Sequence, residues 1–527
     1  MNCYLAYDLK GIQSFLFSIP KLRYIIGGST LIDRFDRKYI NSICDEGTEL
    51  IYAAAGKGVF SCASKDIAEK LKQKILCKAL EYGFSIRFSI NDNYLNAVNE
   101  ADELYSYVPD SLEGHPCSVS GLYPVEKGNG KGKNKDIHSV IYKRIYSENE
   151  LLVDALEERL LEKANLRLPP GLNDKNLTFF HELDSTVEET KENSISKVAA
   201  KALGNRNRWA VICMDGNDMG KQFKKISEKF KNNENIKEYH SQIKAMSKAL
   251  DDSSHYAAGC GMQEVLRLWG ADLNNITDAT INDKVLLPIR PLAVGGDDII
   301  MLCHVKYAFD FVKEACRAFN EMSRKTDADF ENGHLWCATG GELTISAGIL
   351  FCSTSLPLHS AISYAESLLA SAKFRGREEK NIQNKPSPPC LDWEQVTDGL
   401  LDTPAMRRQR EMLFFDDDIQ KNILLTSRPY SLDDFDEVLE LAKKYKEALP
   451  NTIKHQILPG LRQGYHDRKM FLARLAKNHI EIFNDLDEDS RENQWEEIEN
   501  GYKTKVIDAL LILEEKKRFD NKIKAGE

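Results

Sequence analysis

The sequence predicts an α+β fold: two ferredoxin-like palm domains with helical insertions, followed by a C-terminal helical domain. Three observations carry this. A β-α-β-β-α-β pattern of apolar runs occurs twice along the 527 residues. In the second copy, two apolar runs flank the tetrapeptide Gly295-Gly296-Asp297-Asp298. Beyond residue 396 the apolar residues fall at helical spacing.

The first copy opens with an apolar strand around Tyr4 to Ala6, and helix-spaced residues run from Leu22 to Ile43. Leu50 to Phe60 reads as two strands around a glycine-containing turn. A helix from Asp66 to Tyr82 and a strand from Phe84 to Ile90 complete the unit. The second copy starts with Trp209-Ala210-Val211-Ile212-Cys213-Met214, a strand ending at Asp215. A long helical insertion separates it from the hairpin formed by Val285 to Val294 and Ile299 to His304. A helix (Tyr307 to Arg324), a strand (Leu343 to Leu350) and another helix (Leu358 to Phe374) follow. Asp433 to Ala448, Met470 to Phe483 and Gln494 to Lys516 read as tail helices, and the tail is expected to contain no strand. The expected organisation is a degenerate first palm (1–105), a connecting region (106–195), the second palm (196–395) and the helical domain (396–527). Within the connecting region, Gly128 to Lys135 reads as a solvated loop and Glu148 to Asn165 as a charged helix.

With 42% hydrophobic and 29% charged residues the composition is that of an ordinary globular protein. No apolar run is long enough to span a bilayer, and the N-terminus lacks the basic start and apolar core of a signal peptide, so a cytoplasmic location is expected. The twelve cysteines are scattered without a CxxC pair, which argues against a disulfide framework and a paired-thiolate zinc site. A net charge of −10 argues against indiscriminate nucleic-acid binding while leaving room for a local basic groove.

The chemistry is read from the carboxylates. Phosphoryl transfer between nucleotides requires cations that neutralise phosphate charge, and magnesium prefers oxygen ligands. Gly295 and Gly296 remove side chains where a triphosphate would approach the backbone. Asp297 and Asp298 then supply two carboxylates, and Asp215, at the end of the neighbouring first strand, supplies a third. Gly216 and Asn217, just after Asp215, are candidates to hold a metal ion or phosphates through their backbone. Lys373 is a candidate phosphate contact, or else a surface helix residue; Lys221 is a weaker candidate. By itself Gly-Gly-Asp-Asp is weak, occurring by chance in on the order of one in a hundred chains of this length. Asp215 and the repeat of the whole unit give it weight.

The first copy carries Ala55-Gly56-Lys57-Gly58 at its hairpin, with no carboxylate, and Asp8 alone in the position of Asp215. It is expected to bind no catalytic metal. Gly27-Gly28-Ser29 admits close approach of a nucleotide or of the second palm, and helix–helix packing explains it equally well. His466-Asp467, with only His455 near it in sequence, reads as a solvated helix face rather than a phosphohydrolase site.

Asp8-Leu9-Lys10-Gly11-Ile12-Gln13-Ser14-Phe15, followed by Gly27-Gly28-Ser29, resembles the first palm of the large subunit of type III CRISPR effectors. Met214-Asp215-Gly216-Asn217-Asp218-Met219-Gly220 and the acidic hairpin resemble its second palm. Ala372-Lys373 followed by Asn381 is similar to the helix end shared with GGDEF diguanylate cyclases. The resemblance implies nucleotide-cyclase-like palms that make cyclic oligonucleotides from ATP, as an antiviral defence signal. ATP would bind between the palms, with Ser29 on the nucleotide. Asp215, Asp297 and Asp298 would hold two magnesium or manganese ions. It also implies guide and target RNA and CRISPR backbone subunits as partners, with a homodimer as a further expectation and no membrane. The sequence departs from the family in three ways. The first palm begins at residue 1, so the HD nuclease domain of many members is not expected. Cys117 alone stands where zinc-binding cysteines often lie, so no zinc is expected. An acid falls at 218 where the commoner pattern has it at 217. A non-catalytic nucleotide- or RNA-binding scaffold is the alternative from another class. A diguanylate cyclase or a template-dependent polymerase fits less well.

Overall fold

The computed structural model describes residues 3–18, 22–54, 56–103, 115–116, 124–125, 177–178, 208–229, 236–271, 279–281, 284–324, 343–383, 387–396, 402–478, 495–498 and 500–520. The Gly128–Lys135 loop, the Glu148–Asn165 helix and Cys117 lie outside them.

The first sheet contains β1 (Cys3–Lys10), β2 (Thr48–Ala54), β3 (Lys57–Cys62) and β4 (Ser85–Asn91), in the order β2-β3-β1-β4. Helices α1 (Ile12–Phe17) and α2 (Leu22–Asp33) lie between β1 and β2. Helix α3 (Lys65–Tyr82) joins β3 to β4, and α4 (Tyr94–Glu103) follows β4. Ser64 caps α3 by accepting from the Ile67 amide, and Gly83 ends it in the left-handed conformation at φ 81°. Side chains alternate along β1: Leu5, Tyr7 and Leu9 enter one core with Ile75 and Ala79 of α3, whereas Tyr4 and Ala6 enter the larger core shared with the second palm.

The second sheet repeats the scheme. Its strands are β5 (Arg208–Gly216), β6 (Ile289–Gly295), β7 (Asp298–Cys303) and β8 (Ile345–Ser353), in the order β6-β7-β5-β8. Strand for strand this matches the first sheet, so the internal duplication read from the sequence is present in the fold. Helices α5 (Met219–Lys229) and α6 (Ile236–Gly270) form the insertion after β5, and α7 (Ala308–Arg324) joins β7 to β8. Strand β5 is central, and Trp209 to Met214 are all buried, which is why its sequence is continuously apolar rather than alternating. Helix α8 (Leu358–Gln383) covers the face of β5 and β8.

Two further strands, β9 (Cys390–Gln395) and β12 (Tyr430–Ser431), extend this sheet beyond β8, so it has six strands. The sixth comes from the stretch read as the helical domain. The tail is also not free of strands: β10 (Leu413–Asp416), β11 (Lys421–Leu424), β13 (Trp495–Ile498) and β14 (Gly501–Thr504) form a four-stranded sheet. Local periodicity could not reveal it, because these strands are four residues long and pair across distant sequence, Asn422 with Gly501. Helices α9 (Pro404–Met412), α10 (Leu432–Ala448), α11 (Asn451–Leu461), α12 (Tyr465–Asn478) and α13 (Val506–Asp520) lie among the other described residues of the tail. Helix α13 is tied to the second sheet by buried charge: Arg428 Nε lies 2.9 Å from Asp508, which also accepts from Tyr430 at 2.6 Å.

The long helix α6 lies between the palms. Near its start Tyr239 and His240 pack edge-on or tilted against Tyr94, and His240 also meets Tyr4. Farther along, it packs against α7 and β6. Its 35 residues span roughly 50 Å. That length lets one rigid element touch both the first sheet and the acidic hairpin.

Candidate metal and nucleotide site

Register brings the acids together. In the β6–β7 hairpin Gly295 pairs with Asp298, leaving Gly296 and Asp297 as the two turn residues. Gly296 adopts φ 61°, the left-handed conformation that glycine accepts without strain. Asp298 pairs with Asp215 across β7 and β5, so these carboxylates stand side by side at one end of the strands. Asp297 reaches the same place from the turn. A side chain at Gly216 would come within 3.0 Å of the Asp297 Cβ and 2.6 Å of the Met219 Cε, so it would displace the Met219 side chain and crowd Asp297. A side chain at Gly295 would meet open space instead, consistent with an approachable hairpin backbone.

Asp297 and Asp298 are both raised. Burial first, then the Asp215 and Asp298 charges and a hydrogen bond with Asp215, push the Asp297 carboxyl up to about 8. Asp298 is raised to about 7 by the protein mass around it, then by Asp215; Lys373 pulls it down and Glu366 pushes it up. Solvent reaches Asp298 at the exposed end of the hairpin and tempers its shift.

The flanking residues divide into those at the acids and those that hold the loop. Lys373, on α8, contacts the Asp215 carboxylate and donates to the Gly216 carbonyl at 2.9 Å. Asn217 is buried: its side chain donates to Thr344 Oγ1 at 2.8 Å and to the Pro388 carbonyl at 3.3 Å, and its amide donates to the Thr344 carbonyl. It braces the loop from inside. Asp218, the displaced acid, accepts from Ser387 at 2.8 Å and pairs with Lys221 at 3.0 Å, turning its carboxylate toward them. Ser29 is half-buried on α2, and that helix packs against β6 beside the hairpin. His466, Asp467 and His455 are exposed, as a solvated helix face requires.

Two participants carried no sequence signal. Glu366 lies seven residues before Lys373 on α8, and it faces Asp298 electrostatically. Ser254, fully buried on α6, donates to the Gly296 carbonyl at 2.7 Å and so ties the turn to the helix between the palms. Neither belongs to a local motif; only the packing of α6 and α8 delivers them. Ser254→Ala should cost about 1 kcal/mol, since a half-buried carbonyl loses its donor. Chemical denaturation would read the stability, and faster amide exchange at Gly296 and Asp297 should accompany the loss.

The first palm provides a contrast at matching register. There β1 pairs with β3 so that Asp8 faces Lys57, the position held by Asp298 opposite Asp215. Asp8 is buried, contacts Lys10 and lies 3.2 Å from Lys57. Its charge is already neutralised by lysine.

The donor set of the second palm (three carboxylates and a main-chain carbonyl, all hard oxygens) fits magnesium or manganese. The raised carboxylates are what a divalent cation would bring down. As the side chains stand, no three His, Cys, Asp or Glu residues among those described already surround one point. Lys373 holds Asp215 instead.

This fold and site define a tandem-palm protein in which one palm is acidic and the other is not. Residues 208–382 match the family model of Cas10/Cmr2, second palm domain. The match covers the second palm and not the rest of the chain. No curated protein matches its sequence. Among solved structures, Csm1 from T. onnurineus is 12% identical with a TM-score of 0.50, over 98% of this chain and 69% of that one. That likeness concerns the fold. Csm1 in a Csm1-Csm4 cassette in complex with cA4 is 12% identical with a TM-score of 0.47, covering 97% of this chain and 70% of that one. Another cassette, in complex with one ATP, is 15% identical with a TM-score of 0.37, covering 71% and 53%. Among the described residues no helix is long and apolar enough to cross a membrane.

Proposed function

We propose that the chain is a metal-dependent nucleotidyltransferase that makes cyclic oligonucleotides from ATP, as an antiviral signal of a type III CRISPR system. The observation that carries this reading is the meeting of Asp215, Asp297 and Asp298 at one end of the strands of the second sheet, with a lysine at the matching place in the first. Asp215, Asp297 and Asp298 would hold two magnesium or manganese ions. Bound there, such ions supply charge neutralisation at the phosphates and lower the cost of ionising the attacking hydroxyl. Gly295 and Gly296 leave room for the triphosphate, and Ser254 fixes the turn that presents it. Ser29, beside β6, is proposed as a nucleotide contact from the first palm. Gly216 acts by making space for Asp297, and Asn217 by bracing the strand end. In the reaction a 3′-oxygen–phosphorus bond forms, the α–β phosphate bond breaks, and pyrophosphate leaves. Guide and target RNA and CRISPR backbone subunits are the proposed partners.

The contact of Lys373 with Asp215, and the lack of a ready-made cation cluster among the described residues, favour a second reading: a nucleotide-binding scaffold without turnover. Incubating the chain with labelled ATP and Mn2+, alone and with RNA and partner subunits, separates the two. The synthase reading expects cyclic product and pyrophosphate. Nucleotide binding without product under every condition would establish the scaffold.

The acids also set a pH dependence. Their folded-state values lie above the ordinary carboxylate value, so the folded metal-free chain binds more protons than the unfolded chain. This contribution favours the fold at low pH and is lost as the pH rises through about 7 and about 8. A cation must displace those protons, so Mn2+ affinity should rise about tenfold or more between pH 6 and pH 8.5. Titrations across that range would test it; a flat profile would contradict the coupling.

A further inference from the structure

We propose that Lys373 is the resident counter-ion of Asp215: it occupies the oxygens a divalent cation needs and leaves them for the triphosphate when a metal–nucleotide complex binds. The proposal rests on the metal site argued above. Its ammonium group touches the Asp215 carboxylate and lies 2.9 Å from the Gly216 carbonyl. These are two adjacent hard oxygens on the strand end where a metal would sit. One ammonium holding both blocks a cation that requires both.

The arrangement suits exchange. The Lys373 side chain is 15% exposed and that of Asp215 31%, so the contact lies at the rim of the site and water can replace it. The lysine stem is long and flexible, so the ammonium can move several ångströms while the helix stays in place. Helix α8 itself is fixed against β8 at Gly348. Neighbouring cations are engaged elsewhere: Arg375 pairs with Glu379 at 2.8 Å, and Lys221 with Asp218 at 3.0 Å. A metal alone would have to expel Lys373 with no new partner for it. A metal arriving with a triphosphate brings an anion that the released ammonium can meet. Metal and nucleotide therefore bind cooperatively, and free cations at low concentration leave the site closed.

The test is Mn2+ binding followed by electron paramagnetic resonance, with and without α,β-methylene ATP, on the full chain. Wild type, Lys373→Met, Lys373→Gln, Lys373→Arg and Asp215→Asn are compared after thermal melts confirm folding. Removing the ammonium should tighten Mn2+ binding without nucleotide by about tenfold and abolish most of the enhancement by the analogue. Lys373→Arg, which keeps a cation there, should stay near wild type. Unchanged or weaker Mn2+ binding in both neutral variants, together with loss of binding in Asp215→Asn, would overturn the counter-ion role while leaving the metal site intact. Wild-type Mn2+ binding in Asp215→Asn would sink the metal site, and this proposal with it.

Discussion

Replacing Asp297 and Asp298 together by alanine should lower product formation from ATP by about a thousandfold or more, while the chain remains folded. Both carboxylates lie at a hairpin end and are raised by their neighbours, so their removal relieves repulsion rather than breaking a stabilising pair. Thermal melting of the metal-free variant should therefore match or exceed wild type at about pH 9, above both shifted values. Loss of activity with retained or increased stability is the signature of a functional acid cluster. Product surviving the double substitution would refute the site. A variant that lost activity only because it unfolded would mean that the acids hold the hairpin, which the register does not suggest. Asp215 has a different balance, because its removal also strips Lys373 of its carboxylate partner.

Gly348→Ala should be the most damaging single methyl group in the second palm. A Cβ there would fall far inside contact distance of the Ala365 carbonyl and the Leu369 amide, and at 3.0 Å from the Leu369 Cα. These are main-chain atoms of α8, so no rotamer change relieves the clash, and the helix must lift from β8. Overpacking ordinarily costs about 1–3 kcal/mol, and a backbone collision belongs at about 3 kcal/mol or above. Lifting α8 also withdraws Lys373 and Glu366 from the acids. Denaturant titration should show the stability loss, and Mn2+ affinity should change in the same variant. A fall of under about 1 kcal/mol would mean that α8 is more mobile than its packing on β8 indicates.

How much of this was legible in the sequence differs by element. The second palm was readable because β5 is a continuous apolar run and the hairpin carries unusual turn residues. Its helices also have clear periodicity, and α7 is one example. Helix α8 was underestimated: the reading ended near Phe374, whereas it continues to Gln383. The tail misled more. Gln494 to Lys516 looked helical throughout, but its first part is the hairpin Trp495–Ile498 and Gly501–Thr504. A side chain at Gly501 would collide with the main chain of Asn422, so that glycine serves a parallel pairing with a strand some eighty residues away. Nothing local announces such a need. Asn217 shows the same limit at the site. Beside an acid in a glycine-rich loop it read as a backbone contact for phosphate or metal; the fold gives its main-chain N–H to the Thr344 carbonyl and its side chain to Thr344 and Pro388.

The sequence by itself determined the duplication, the identity of the acids and the asymmetry between the palms. Each depends on residue type and short-range order: apolar period, a Gly-Gly-Asp-Asp turn, and a lysine where the other hairpin has an acid. Tertiary structure decided what those acids experience. Strand register set Asp298 against Asp215, helix α6 delivered Ser254 to the turn, and α8 delivered Lys373 and Glu366. Charges act through distance in space, and residues 158 apart in sequence, Asp215 and Lys373, become partners only when a helix is packed onto a sheet.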